Sequence, residues 1–587
     1  MTVQCNNIDR VRIMNSSQRV PTREEFGHIR DREAGALLTL NHKGKGGWVT
    51  FPFIIGTVMG LSLAAGGWYA NITVYAIQKY NVQPISAAQI HNVVGGGVNF
   101  FPIVGAILAD TFFGSYWVVL VAAFASLLGG VMFILSAAIP HLRPLPCNTS
   151  TRVCPTPSSS QYAFLYITLV LGIIGLGGTR FVLGTIGADQ YDRVEHQNVY
   201  FNWFVLAFES SWVIAFTVIV YVEDNVSWAI GYGISVAASA FAITLFLFGS
   251  RFYRLLMPQG SPFVSIARVF IASLRKAKLS TEDHEYFYES TMSKSPQRPP
   301  SPSLSFFNQA ALVKVAQAQH HKSWSLCTVE EVEDLKKLMK ALTIWGAGLL
   351  ESTIYAVSSS LITIQALVMD RHLGPHFQIP AGSVFVFTLI WASFLLTILD
   401  RFLYPLSEKV LGRSLTPLQR VGIGYFFNVS GMVAYAMIES KRLDLIEKNG
   451  LMEHNAVAPM SVLWLILPLA LLGSGTAFYF PAEVEFYYQE FPKSLRTTSN
   501  AMTSLRLAVG YYLSSAIVHV IRNNTTWLPN EINHGRVDKV YWLVSFIGAV
   551  NFVIYLLVSK LYVYSSHTTA DDITINSRYM DIYDISA

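Results

Sequence analysis

Four charged side chains sit inside long apolar runs: Arg180, Glu209, Glu351 and Arg506. A charge at mid-membrane costs about 2.5–3.5 kcal/mol on insertion scales, so it usually faces a partner or a water-filled cavity. The four allow two arrangements. They can form two Arg–Glu pairs that fix structure. Alternatively, at least one carboxylate meets a solute in a cavity whose two acids balance its two bases. Such a cavity suits an organic solute bearing polar groups and an amine better than a bare anion. Glu351 has a third reading, as a helix-start residue. Trp212, Tyr355, Phe478, Tyr479, Tyr511 and Tyr512 lie in the same runs. They are packing residues, or they stack a ring and meet an amine by cation–π contact. His91 and His519 also fall within these runs, packed or titrating near neutral pH.

No metal cluster, nucleotide loop or nucleophile constellation stands beside these charges. GLGGTR and VVGGGV are glycine runs in apolar stretches, read as close helix packing by small residues. The expectation is therefore no enzyme, no metal and no cofactor.

The elements that hold these residues are spelled out by composition. The 587 residues are 52% hydrophobic and 13% charged, with a mean hydropathy of +0.39. Soluble domains carry about 25% charged residues. Twelve apolar runs reach the roughly 20 residues that a helix needs to cross a bilayer: 51–77, 86–109, 116–139, 162–187, 202–222, 228–249, 338–367, 380–404, 417–439, 458–488, 498–521 and 540–563. Trp48, Trp68, Trp228 and Trp542 fit interfacial anchoring. The pattern predicts an all-α membrane protein whose partners are the lipid bilayer and a small-molecule substrate. The net charge of +5 does not argue for nucleic acid. A monomer suffices for this plan, and the oligomeric state stays open. Residues 1–45 are polar and charged, so no cleavable signal peptide is expected.

Five segments follow: a tail (1–47), a six-helix half (48–249), a linker (250–337), a second six-helix half (338–563) and a second tail (564–587). Arg251, Arg254, Arg268, Arg275, Lys276 and Lys278 place the linker on the cytosolic side, and Arg401, Lys409, Arg413 and Arg420 place the 401–420 loop there too. Both tails share that side. The Asn-x-Ser/Thr sites at Asn148, Asn225, Asn523 and Asn524 then fall on the opposite side, as glycosylation requires. Cys147 and Cys154 bracket the short loop CNTSTRVC on that side, where disulfides persist. They are read as a disulfide, against two free thiols. Within the linker, SPFVSIARVFIASLRKAKL has apolar residues at helical spacing and a basic face, which can lie on a membrane surface. KSPQRPPSPS has a disordered composition, and TVEEVEDLKKLMKAL opens with a helix-start signature at Thr328.

A faint repeat links the halves. GAILADTFFG (105–114) follows the second run, with Gly105, Asp110 and Gly114. ILDRFLYPLSEKVLG (398–412) follows the eighth, with Asp400 and Arg401. Each puts an Asp at a cytosolic helix end before a glycine-bearing turn. Equivalent positions in two six-helix halves match the parallel repeat of the major facilitator fold, whose substrate site lies between the halves. These residues are expected to form its conformational-switch motifs.

Several stretches resemble the plant nitrate/peptide transporter family, within the proton-dependent oligopeptide transporters. GAILADTFFG is similar to its motif between spans two and three. GLGGTRFVLGTIGADQYD (175–192) resembles its GxGGxKxxxxxxGADQFD block, with Arg180 where the family has Lys. FNWF (201–204), LTPLQRVGIG (415–424) and EFYYQEFPKSLRTTS (485–499) resemble the fifth-span start, the ninth-span entry and the tenth-span exit. The resemblance runs in order from about residue 48 to 563. It implies a rocker-type solute transporter whose central cavity draws on spans four, five, seven and eleven.

Against the resemblance, charges are missing. The family's first span usually carries E-x-x-E-R; those positions are Val58, Leu61 and Ser62 here. The tenth-span Glu of GxGEAF is replaced by Thr476 in GSGTAF. Proton coupling needs a titratable group inside the membrane. The loss resembles the nitrate-excretion branch, whose members are exporters or facilitators. No His marks the seventh span, where nitrate importers have one; Tyr355 falls near that place. The substrate-cavity candidates are thus Arg180, Glu209, Glu351, Tyr355, Thr476 and Arg506. The leading expectation is a proton-uncoupled exporter of a specialised amine-bearing or glycosylated metabolite, from vacuole to cytosol. Nitrate efflux is the alternative within transport, and a solute-sensing receptor the alternative outside it. Glu209 and Glu351 remain the residues that would restore coupling. Glu33, Leu37 and Leu38 in EAGALL match an acidic dileucine pattern that, in plant transporters, resembles a vacuolar sorting signal; the plasma membrane is the alternative.

Overall fold

A computed structural model describes residues 45–147, 154–255, 262–276, 286–287, 300–313, 324, 326–451, 456–491 and 496–562. Glu33, Leu37, Leu38 and Asn148 lie outside these, as does most of both tails.

The apolar runs become helices of membrane-crossing length. Spans one to six are Gly47–Tyr80, Pro84–Phe113, Ser115–Ala138, Ser159–Ala188, Glu195–Asn225 and Trp228–Gly249. Span seven is a pair, Val329–Ala347 and Leu349–Leu367, bent by 42°. Spans eight to twelve are Ala381–Val410, Pro417–Lys448, Val462–Glu490, Ala501–Asn524 and Val537–Leu561. Local chemistry sets several ends. Capping boxes open span four at Ser158 with Gln161, span seven at Thr328 with Glu331, and span nine at Thr416 with Gln419. Each satisfies backbone donors that a helix start leaves unpaired.

The sequence repeat has a backbone counterpart. Span two runs on through a π-helical turn, Ala109–Phe113, which carries Asp110. Span eight runs through another, Leu399–Leu403, which carries Asp400 and Arg401. Both stretches end at a glycine of positive φ, Gly114 at 76° and Gly412 at 68°, a conformation that Gly adopts at no steric cost. The second continues as a helix, Tyr404–Leu411, before its glycine. A third π-helical turn, Ala215–Ile219, interrupts span five. Gly105 packs against Gly178 of span four, where a Cβ would lie 3.3 Å from the neighbouring Cα.

The linker carries the helix that its sequence predicts, and part of that helix packs on protein. The helix Pro262–Lys276 is not free to lay its whole apolar surface on lipid. Val269 and Ala272 are buried against Phe307, Cys327, Val332 and Leu335, and Arg268 pairs with Glu331 at 3.4 Å. Val269 and Ala272 cover a protein core, while Val264, Phe270 and Leu274 stay exposed. On the other side of the molecule, Cys147 and Cys154 are joined as a disulfide.

The halves meet mainly where span two packs on spans seven and eleven. The glycine run of span two makes that approach possible: a Cβ on Gly95 would lie 2.7 Å from the ring of Tyr511, and one on Gly96 2.7 Å from that of Tyr512.

Candidate central substrate cavity

Arg180 of span four and Glu209 of span five line a cavity of about 140 Å³ between the halves. Arg180 donates to Asn99 Oδ1 at 3.4 Å and sits 5.2 Å from the Phe208 ring centroid, a cation–π distance. Its charge and that of Glu209 act on each other. Tyr69, Trp212, Tyr355, Phe385 and Tyr511 supply aromatic wall. His91 faces the same space. The tyrosines are tied across the halves: the hydroxyls of Tyr69 and Tyr511 lie 3.3 Å apart, and Ser359 donates to Tyr511 at 3.2 Å.

Arg180, Phe208 and Glu209 also line a second cavity of about 310 Å³, which reaches Asp110, Phe201 and Thr503. This second cavity extends from those three residues toward the side that carries the linker. The far side is sealed. Asn71 donates to Glu223 at 3.0 Å and to Asp224 at 3.2 Å. A Cβ on Gly382 of span eight would lie 2.6 Å from Asn71 Oδ1. Tyr221 stacks on Phe377 at 5.6 Å, and Arg522 donates to Ser86 at 3.0 Å.

Arg180, Glu209 and Tyr355 therefore share one cavity, while Glu351, Thr476 and Arg506 do not line it. Arg506 turns into the second half. Its Nη2 donates to Glu483 at 2.6 Å, and its Nη1 donates to the Gly348 carbonyl at 2.9 Å and to Tyr425 at 3.0 Å. Glu351 is 1% exposed and lies near this group and Asn428, with neither carboxylate oxygen in hydrogen-bond geometry. Thr476 spends its hydroxyl on the Leu472 carbonyl one turn back, at 2.9 Å. Of the arrangements open to the four residues, an Arg506–Glu351 pair is not the one formed. The partner of Arg506 is Glu483, which sequence reasoning missed, because Glu483 reads as one of several acids in PAEVEFYYQE. A second missed group is Arg442, bonded twice to Glu439, at 2.8 and 2.7 Å, and once to Asn533 at 2.7 Å.

Val58, Leu61 and Ser62 are buried. Val58 and Leu61 belong to a core with Ala242, Ile243 and Phe246 of span six. The first span thus brings apolar packing where the resemblance places charges, and the acid near Arg180 comes from span five. Tyr479 lies over Arg506, Phe478 stacks on Phe427, and His519 bonds Asn523. Those three are structural, whereas Trp212, Tyr355 and Tyr511 face the cavity. Among the described residues no group of three metal-ligating side chains occurs.

Two packed halves with a charged, aromatic-walled cavity between them have the plan of a solute carrier. Residues 116–534 match the model of the POT family, and the chain belongs to that family of membrane transporters. It is 45% identical to NRT1/PTR family protein 2.7 of Arabidopsis thaliana over 88% of this chain and 93% of that one. It is 42% identical to NRT1/PTR family protein 2.6 of the same plant, over 92% and 97%. The fold resembles the crystal structure of an auto-inhibited POT family peptide transporter, with a TM-score of 0.65 and 18% identity over 88% of this chain and 98% of that one. It also resembles a POT family transporter in complex with 5-aminolevulinic acid, with a TM-score of 0.60 and 12% identity over 88% and 97%.

Proposed function

We propose that this transporter is a proton-uncoupled facilitator of an organic plant metabolite bearing an amine. The supporting observation is the presence of Arg180 and Glu209 in one aromatic-walled cavity. A lone cation would favour an inorganic anion; a cation and a carboxylate together offer partners to a solute with both charges. The bound 5-aminolevulinic acid of the related transporter carries an amine and a carboxylate, in keeping with that chemistry. Uncoupled movement is favoured by the apolar packing at Val58 and Leu61. With the linker cytosolic, the open side faces the cytosol, and the direction we favour is vacuole to cytosol.

Counterflow in proteoliposomes tests the reading. Glu209→Gln is expected to lower kcat/KM for an amine-bearing solute about tenfold, the effect of losing one charge-assisted contact, and to spare nitrate. Equal loss for both, or strong stimulation by a proton gradient, would overturn it. Nitrate efflux is the second reading, favoured by Arg180 alone. For location, a fluorescent fusion with Leu37→Ala and Leu38→Ala is expected to leave the vacuolar membrane. An unchanged vacuolar rim would sink the sorting role of EAGALL.

A further inference from the structure

We infer that His91 is a specificity-determining residue of the central cavity. Its solute is an elongated zwitterion that carries a ring and, at the end away from its charges, a hydrogen-bonding group. The inference rests on the reading of Arg180 and Glu209 as the pair that meets the solute's charges.

His91 is 6% exposed, and neither ring nitrogen has a protein hydrogen-bond partner. Its ring leans on Tyr69, with centroids 5.2 Å apart, and lies 6.3 Å from Tyr511. The hydroxyls of those tyrosines are engaged with each other and with Ser359, which leaves the imidazole unmet. A neutral imidazole offers one donor and one acceptor. Leaving either buried and unsatisfied is costly, so native structures that do so have a reason at that place. The indole N–H of Trp212, on the same cavity wall, is a second buried donor without a protein partner.

Spacing along span two sets the length of the solute. His91 and Asn99 both line the cavity, eight residues apart, or about 12 Å along the helix axis at 1.5 Å per residue. Asn99 is the residue that Arg180 bonds. The charged end and the imidazole end are thus separate places, and side chains reaching inward shorten the gap between them. Nitrate is too small to touch both. A zwitterion of one ring's length can place its ammonium at Glu209, its carboxylate at Arg180 and its ring along Tyr69 and Trp212. A distal hydroxyl then meets His91.

L-tyrosine and L-phenylalanine differ only in such a hydroxyl. The full chain in liposomes is expected to show counterflow of both, with a KM about tenfold lower for tyrosine, the worth of one hydrogen bond in a buried site. His91→Phe is expected to raise the tyrosine KM to that of phenylalanine. The size-exclusion profile and melting temperature of the variant report an intact fold. His91→Gln, which keeps a donor and an acceptor, is expected to restore part of the preference. Counterflow of neither amino acid, no preference in the wild type, or a preference that survives in His91→Phe would overturn the inference. If phenylalanine still moves and Glu209→Gln lowers its kcat/KM about tenfold, the charge-pair reading stands without this one. If movement ignores Glu209→Gln, both fall.

Discussion

Arg506 and Glu483 meet at 2.6 Å, from span eleven to span ten, at 1% and 5% side-chain exposure. The same guanidinium reaches the carbonyl of Gly348, the residue between the two helices of bent span seven. With its bond to Tyr425 of span nine, four spans of the second half are joined through one side chain, away from the central cavity. Removing one partner of a buried ion pair leaves an uncompensated charge, at a cost of about 3–5 kcal/mol. Glu483→Ala is therefore expected to lower the melting temperature of the detergent-solubilised protein sharply, as read by intrinsic fluorescence. A melting temperature equal to wild type would show that the pair is not structural.

Glu351 occupies this group without a geometric hydrogen bond. Arg506 can balance only one of the two nearby carboxylates. Glu351→Gln keeps the shape and removes the surplus acid. The expected result is an unchanged KM for an amine-bearing solute and a melting temperature equal to wild type or higher. A KM raised severalfold would place Glu351 at the substrate after all.

Gly382 stands against Asn71 on the sealed side. Gly382→Ala puts a Cβ 2.6 Å from Asn71 Oδ1 and 3.0 Å from the Ala70 carbonyl, a clash that backbone cannot absorb cheaply. The variant is expected to hold the far side partly open. Spin labels at the exposed positions of Val226→Cys and Leu373→Cys report it as a longer distance. An unaltered distance distribution would exclude Gly382 from the closure.

Burial pushes the Cys327 thiol from 9.0 up to about 11. The folded-state value is raised, so the thiol stays protonated at neutral pH and its reactive thiolate is scarce. N-ethylmaleimide at pH 7.5 is expected to leave Cys327 unlabelled in the folded chain and to label it in denaturant, as read by mass spectrometry. Fast labelling of the folded chain would contradict the packing of Phe307, Val332 and Leu335 around it.

The spans were legible because each is a run of some 20 apolar residues, a signal that needs no tertiary information. Even the break at Gly348 lies within one predicted run. Asp110 and Asp400 were legible for a related reason: a charge closing an apolar run, followed by a turn glycine, marks a helix end. Partnerships were less so. The direction a side chain takes around a helix decides whether Arg506 sees the cavity or Glu483, and a 20-residue apolar helix buried on several faces has no polar stripe to show it. Glu483 was hidden because acids near a span exit read as solvated. His91 reads either as packed or as titrating, since one histidine in an apolar run carries no sign of whether its nitrogens are met.

The rings that wall the cavity have a thermodynamic consequence. Tyr, Trp and Phe turn about two side-chain bonds, and here the Tyr69 and Tyr511 hydroxyls are tethered as well. Such a wall loses little conformational entropy when a guest arrives. Most of the ordering cost of binding then falls on the guest, and each rotor that must be frozen in it weakens affinity. Among solutes of equal charge and contact area, stiff ring compounds are thereby favoured over floppy chains, a selection made by the disorder of the solute rather than by any single contact.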